Sequence, residues 1–286
     1  MPRSRGPGRA RRRRWRGAAL NVVGSVVLAG AMLGGRVLWP DAPAVAGPVL
    51  VHPQDDWAGS QIIKHEGVGS YAQQGAGVGA GTLPGLDVSS YQGTVNWPAV
   101  AGGGATFAYV KATESTTYTS PTFSAQYNGA KAAGLIPGAY HFAIPNASSG
   151  AAQADYFLAH GGGLGGLSLP PAVDLEYNPY GDTCYGMSAP ALVSWVRDFT
   201  TEVDRKTGRY PTIYTSTSWW SQCTGNDPGF GATDPLWIPR YGSSVGSLPA
   251  GWNYHTFWQF ADAGQFPGDQ DYFNGALGQL RLLAGG

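Results

Sequence analysis

From residue 83 onward, short apolar runs alternate with longer stretches in which apolar residues recur at helical spacing. Seven runs are strand-like: 85–88, 107–111, 138–142, 172–175, 212–214, 236–240 and 256–260. Three stretches between them are predicted helices: 121–133, 149–159 and 189–207. Strands that alternate with helices favour parallel pairing through crossover helices. About seven strands in roughly 200 residues therefore predict an α/β fold, a single-domain β/α barrel of the TIM type.

The residues ahead of this pattern divide into two parts. Residues 1–46 combine a run of arginines with an apolar stretch at 17–33 and small residues at 44 and 46, which predicts a signal peptide for export. An uncleaved N-terminal membrane anchor is the alternative. Residues 47–83 are polar and glycine-rich, which predicts a linker with a short helix around 61–64 and no chemistry. The barrel then takes residues 84–286.

Composition narrows the class of protein. Only 13% of the residues are charged and 44 are glycine, which suits a loop-rich secreted protein. Nine arginines and one acid lie in residues 1–46, so the remainder carries nine basic and seventeen acidic residues, a net charge of −8. An acidic body argues against nucleic acid as a partner. We expect a monomer.

The chain has two cysteines, Cys184 and Cys223. In an exported protein they are expected to form a disulfide that closes a loop of about 40 residues, worth about 3–4 kcal/mol in the chain-entropy model. Two free thiols are the alternative. The five histidines are scattered, so no zinc-ligand spacing is present and no metal is expected.

The segment 170–176 ends an apolar run with two carboxylates, Asp174 and Glu176. Side chains alternate along a strand, so both acids should point to the same face. Each negative charge disfavours ionisation of the other, and one member of such a pair tends to keep its proton near neutral pH. A proton donor beside a carboxylate is the arrangement that glycosidic bond cleavage needs.

Other polar residues also stand at the ends of predicted strands. They are Asp87, Lys111, Glu114, Tyr140, His141, Arg240, Trp258 and Gln259. A barrel brings the carboxyl ends of its strands to one rim, whatever their separation in the sequence. We therefore expect these side chains to share a cavity with the two acids.

Six motifs occur in an order that resembles glycoside hydrolase family 25, the Chalaropsis-type lysozymes. They are 85–93 (GLDVSSYQG), 108–114 (AYVKATE), 138–142 (GAYHF), 173–176 (VDLE), 236–241 (LWIPRY) and 258–260 (WQF), within about 83–274. The resemblance implies a secreted N-acetylmuramidase with an irregular β/α barrel. It also implies peptidoglycan glycan strands as the substrate and no cofactor.

The resemblance further implies roles for residues. Glu176 corresponds to the general acid, and Asp174 to its partner, which orients the substrate acetamido group or stabilises positive charge at the anomeric carbon. Asp87 corresponds to the first active-site aspartate and Asp271 to the last, with Asp269 as the alternative. The expected substrate-binding residues are Tyr140, Trp258, Gln259, Lys111 and Glu114.

Two other functions fit the same residues. A barrel that binds cell walls without cleaving them would keep the fold, and a glycosidase for another N-acetylated polysaccharide, such as chitin, would keep the chemistry. The G-x-S-x-G match at 242–246 is set aside as a serine hydrolase motif, because the residues after it are unsuited to the helix that such a motif requires. The G-x-G-x-x-G match at 161–166 follows a helix instead of a strand, so no nucleotide site is expected.

Overall fold

The computed structural model describes residues 56–67, 81–163 and 165–285. Within them, eight strands form a closed barrel, and a ninth, short strand pairs with the end of one barrel strand. The strands are β1 (Leu83–Val88), β2 (Phe107–Glu114), β3 (Tyr118–Thr119), β4 (Ile136–Phe142), β5 (Ala172–Asp174), β6 (Thr212–Tyr214), β7 (Leu236–Pro239), β8 (Phe257–Ala261) and β9 (Asp269–Phe273). This is the irregular α/β barrel that the sequence predicts.

Seven neighbouring barrel strands pair in parallel, and one runs the other way. The order β1-β2-β4-β5-β6-β7-β8 is parallel throughout, whereas β9 is antiparallel to both β8 and β1 and closes the barrel between them. The short β3 pairs only with the end of β2. The carboxyl ends of the parallel strands and the amino end of β9 therefore meet at one rim.

The α-helices of the described residues are α1 (Ser60–Glu66), α2 (Trp97–Gly102), α3 (Phe123–Ala132), α4 (Gly150–Phe157), α5 (Ala189–Thr207), α6 (Thr217–Thr224) and α7 (Leu277–Gly285). The longest, α5, buries Leu192, Val196, Phe199 and Val203 along one face, which is the spacing of an amphipathic helix. Of the described helices, none is long and apolar enough to cross a membrane.

Aromatic side chains fill the lower half of the barrel interior. Trp237 stacks on Tyr109 with ring centroids 4.7 Å apart and meets Tyr214 edge-on at 4.8 Å. The rings of Phe107 and Phe257, with centroids 5.2 Å apart, form the layer below. The barrel is thus packed shut at one end, and its polar interior residues lie at the opposite rim.

All seven predicted strands and all three predicted helices are present. β9 was not predicted, because the run Asp-Gln-Asp-Tyr-Phe is too polar to be recognised as a buried strand. The short helix predicted around 61–64 is α1. The predicted leader, residues 1–46, lies outside the described residues.

The predicted disulfide is also present. Cys184 bonds Cys223, which joins the loop after β5 to α6. The loop that it anchors carries Tyr185, whose hydroxyl donates to the main-chain oxygen of Glu176 at 3.1 Å. The disulfide therefore fixes a segment that lies directly behind one of the predicted catalytic acids.

Candidate active site

The rim of the barrel gathers the acids that the sequence singled out. Asp87 lies on β1, Asp174 ends β5, and Glu176 follows it two residues later on the same face. Asp271 lies on β9, which begins at this rim because that strand runs antiparallel. All four side chains are buried, and none is more than 2% exposed.

Asp174 and Glu176 differ in their hydrogen bonds. Glu176 Oε1 accepts from the backbone N–H of Gly59, and its Oε2 accepts from that of Gln61, both at 3.1 Å. Neither carboxylate oxygen of Asp174 has a hydrogen-bond partner among the described residues. One acid of the pair is therefore held by backbone donors, while the other presents two free acceptor atoms.

Both members of this pair have a raised pKa. Burial raises the pKa of Glu176 to about 8, although backbone hydrogen bonds, first from Gly59 and then from Gln61, lower it in part. Burial, and after it the charge of Glu176, raise the pKa of Asp174 well above its ordinary value. A carboxyl group with a pKa near 8 carries its proton at neutral pH and can act as an acid.

Gln259 joins two more acids at the opposite side of the rim. Its Nε2 donates to Asp87 Oδ2 at 2.8 Å and to Asp269 Oδ2 at 2.9 Å. Its Oε1 accepts from the hydroxyls of Tyr214 at 2.8 Å and Tyr241 at 2.9 Å, which fixes the orientation of the amide. Burial raises the pKa of Asp87 to about 7, against the lowering effect of the bond from Gln259.

The strand register separates the two candidates for the last aspartate. Asp269 pairs with Asp87 across β1 and β9, whereas Asp271 pairs with Gly85, one layer deeper in the barrel. Asp271 Oδ1 accepts from Trp237 Nε1 at 2.8 Å, among the aromatic rings. The structure thus places Asp269 at the rim and Asp271 one layer beneath it.

A cation lies among these acids. Lys111 Nζ on β2 bonds Glu114 Oε2 at 2.7 Å and Asp56 Oδ1 at 3.1 Å. Strict alternation would put residues 111 and 114 on opposite faces, but the pairing of β2 with β4 shifts register between Lys111 and Thr113. This irregularity turns Glu114 to the interior face. The predicted residues Lys111 and Glu114 are therefore brought to the site together.

Comparison with known proteins identifies the family of this chain. The sequence model of Glycosyl hydrolases family 25 matches residues 86–269. The chain belongs to this family. An N,O-diacetylmuramidase of Arthroderma benhamiae is 50% identical over 209 residues, which cover 72% of this chain and 88% of that protein. Lysozyme M1 of Streptomyces globisporus is 40% identical over 278 residues, which cover 91% of this chain and 94% of that protein.

A solved structure agrees with the fold. The muramidase from Acremonium alcalophilum superposes with a TM-score of 0.69 at 53% identity, covering 71% of this chain and 99% of that one. The match spans nearly the whole of that protein but leaves more than a quarter of this chain unmatched. A family 25 barrel of this length therefore folds without the remaining residues.

Of the predicted substrate-binding residues, one does not reach the site. Trp258 packs on the outer face of β8 against Phe260 and Tyr272, and its Nε1 donates to the main-chain oxygen of Arg240 at 2.8 Å. Gln259 faces the interior, and adjacent residues of a strand point to opposite faces. The structure therefore does not bring Trp258 to the interior of the barrel, whereas it does bring Tyr140 there, with its hydroxyl 3.3 Å from the backbone nitrogen of Ala58.

Residues for which no functional role was predicted also lie in this family 25 site. Residues 56–67, which we call the covering segment, contact Glu176, Tyr140, Lys111 and Gln259. Their region is polar and glycine-rich, which predicted a linker and gave no sign of a role in the site. The one unusual feature of the covering segment is its apolar group, Trp57, Ile62 and Ile63, in a stretch that is otherwise polar and glycine-rich.

The arrangement suits general acid catalysis. Buried carboxyl groups with raised pKa values supply a proton, and a nearby carboxylate stabilises positive charge as it develops. In the described residues, no group of three or more His, Cys, Asp or Glu side chains has an arrangement that could hold a metal ion. The chemistry that the buried acids can perform themselves is proton transfer and charge stabilisation.

Proposed function

We propose that this chain is a lysozyme, an N-acetylmuramidase that hydrolyses the β-1,4 bond between N-acetylmuramic acid and N-acetylglucosamine in peptidoglycan. Family membership and the two muramidase relatives support the substrate class. The observation that carries the mechanism is the buried pair Asp174 and Glu176 at the rim of the barrel. Glu176, with a pKa of about 8, is the group that donates a proton to the glycosidic oxygen.

Asp174 has the complementary role in this proposal. Its carboxylate oxygens lack partners among the described residues, so they can accept a hydrogen bond from the N–H of a substrate acetamido group. In the same position, the carboxylate stabilises positive charge at the anomeric carbon. Asp174 therefore orients the sugar that Glu176 protonates.

The other acids support this pair. Asp87 and Asp269 are held in place by the amide of Gln259, which binds both carboxyl groups. We assign Asp269 to the surface of the cleft and Asp271 to a supporting position below Asp87, because of the strand register. Tyr140 and Lys111 complete the substrate-binding residues that we propose.

The decisive variant is Glu176→Gln, which keeps the shape of the side chain and removes the acidic proton. We expect the rate of clearing of a cell-wall suspension to fall at least about a hundredfold, since general acids contribute 10²–10⁴-fold. Wall binding, measured by co-sedimentation, should persist. Glu202→Gln on the outer helix α5 is the matched control and should clear normally. The assay should use both the full chain and residues 81–286.

The products decide between the candidate substrates. Digested peptidoglycan should carry muramic acid at its new reducing ends, as product mass spectrometry after borohydride reduction would show. N-acetylglucosamine at those ends, or faster release from chitin, would favour a different glycosidase. A wild-type barrel that binds walls and never clears them would contradict the enzyme assignment and favour a binding module.

Wall hydrolysis also accounts for the predicted leader. The substrate lies outside the cytoplasmic membrane, and residues 1–46 have the basic and apolar order of an export signal. We propose that the barrel is delivered to the cell exterior by this segment. Cleavage after Ala46 would leave the covering segment attached to the barrel.

A further inference from the structure

The covering segment is buried to a degree that a linker does not require. Ala58 and Ile62 are almost completely buried, and so are the polar residues Asp56, Ser60 and Gln61, each no more than 4% exposed. Glycine-rich linkers are normally solvated and make few contacts. The burial of successive residues shows that this segment packs into the barrel instead of passing over it.

The segment takes the hydrogen-bonding positions that a substrate would need. Both carboxylate oxygens of Glu176 accept from its backbone, at Gly59 and Gln61, each at 3.1 Å. Its carbonyl at Ala58 accepts from Gln259 Nε2 at 2.9 Å. With its oxygens held by amide donors and its surroundings filled, Glu176 cannot reach a glycosidic oxygen.

Side chains of the segment reach both walls of the cleft. Trp57 stacks on Tyr91 with ring centroids 6.1 Å apart, and His65 stacks on Tyr177 at 4.1 Å. Glu66 accepts from the Tyr177 hydroxyl at 3.0 Å. These contacts carry the segment across the rim from the turn after β1 to the loop after β5. A glycan strand and this segment therefore exclude one another.

The fit depends on one glycine. Gly59 has φ of +101°, in the left-handed region that favours glycine. A Cβ atom there would lie 2.8 Å from Gln259 Oε1 and closer still to the Tyr241 hydroxyl, so no larger residue can be accommodated. Such close contact indicates that the segment is fitted to the floor of the cleft.

We propose that the chain folds as a self-inhibited enzyme, in which the covering segment occupies the glycan cleft and must leave it before the wall can be cleaved. This inference rests on the proposed muramidase function. Two comparisons support it. The muramidase from Acremonium alcalophilum corresponds to only 71% of this chain, about the barrel alone. The similarity to Lysozyme M1 takes in 91% of the chain and so extends well ahead of the barrel.

The test uses two glycine variants of the full chain. Gly59→Leu introduces a side chain for which the cleft has no room, so it should expel the segment and raise the clearing rate about tenfold or more, towards that of residues 81–286. Gly67→Leu is the matched control, since Gly67 also has a positive φ, +75°, but nothing lies within 4 Å of its Cβ position. That variant should stay as slow as the wild type.

Hydrogen exchange gives a readout that does not depend on activity. The amides of Gly59 and Gln61 should be protected in the wild type and in Gly67→Leu, while the amide of residue 61 exchanges rapidly in Gly59→Leu. A full-length wild type that clears walls as fast as residues 81–286 would overturn the self-inhibition and leave the muramidase assignment intact. Residues 81–286 that fail to clear walls would overturn the proposed function itself.

Discussion

At the scale of single residues, the site is built at the expense of stability. Asp87, Asp174, Glu176 and Asp269 lie at one buried rim with Asp271 beneath it, and burial is the largest cause of the raised pKa of each. A buried acid whose pKa is raised resists ionisation in the folded state and ionises freely in the unfolded state. These acids should therefore destabilise the fold as the pH rises.

Asp87→Asn tests this cost. The pKa of Asp87 is about 7 in the folded chain, against about 3.9 for an unfolded aspartate. The unfolded state therefore loses its proton first, and stability is lost as the pH rises from about 4 to about 7. Asparagine stays neutral, so the variant should be more stable than the wild type at pH 8 by about 2–4 kcal/mol, or roughly 5–10 °C in Tm.

Calorimetry at two pH values isolates that effect. At pH 4 the wild type and Asp87→Asn should unfold at nearly the same temperature, because the carboxyl group is protonated in the fold and still about half protonated in the unfolded chain, so little of the effect has developed. Asp182→Asn, at an exposed position, is the control and should change Tm little at either pH. An Asp87→Asn variant less stable than wild type at pH 8 would contradict the argument.

The convergence of the acids could be predicted from the sequence, and the orientation of Trp258 could have been. Asp87, Asp174 and Glu176 stand at strand ends with the right alternation, so their convergence followed from the barrel. Trp258 and Gln259 could not both face the cleft, since they are adjacent in β8, and the alternation rule could have excluded Trp258 from the sequence. The choice of Asp269 for the rim required the register of β9 against β1.

At the scale of elements, loops after the strands carry residues that the chemistry needs. The loop after β5 contains Tyr177, Tyr180 and Tyr185, and its disulfide to α6 holds it over the barrel. Tyr180 donates to Glu114 Oε1 at 2.8 Å, so the loop also helps to position the charged residues of the rim. Loops of this kind need an external constraint, because they lack the backbone ladder of a strand.

Replacing Cys184 and Cys223 together by alanine should remove that constraint. With the two cysteines 39 positions apart in the sequence, the loss should be about 3–4 kcal/mol in the chain-entropy model, or roughly 10 °C in Tm. Calorimetry of the double variant and of the reduced wild type should give the same lowered Tm. An unchanged Tm would show that the loop is held by its packing alone.

The predicted elements were those with a clear period. Apolar runs in the parallel strands and the amphipathic face of α5 are visible in the sequence. β9 was missed because its inward positions are Asp269 and Asp271, which are polar for the sake of the site. α1 was recognised as a helix, but its burial depends on contacts with residues more than 100 positions away, such as Glu176, and no local pattern reveals these.

At the scale of the whole molecule, tethering decides how the covering segment acts. A segment on the same chain has an effective concentration in the millimolar range, so even weak contacts can keep it in the cleft. Glycan and segment compete for one place. Substrate at sufficient concentration should therefore displace the segment without any change in the catalytic residues.

Competition of this kind predicts which kinetic constant changes. If the segment occupies the cleft in most molecules, the full chain should have a higher KM for soluble uncross-linked glycan strands than residues 81–286 have. The factor should be about ten or more, the same factor by which the rates of the two forms differ at low substrate concentration. The two forms should share one kcat, since both cleave through the same free site. Initial rates over a range of strand concentrations give both constants. A lowered kcat with an unchanged KM would mean that the segment distorts the catalytic residues without competing for the glycan.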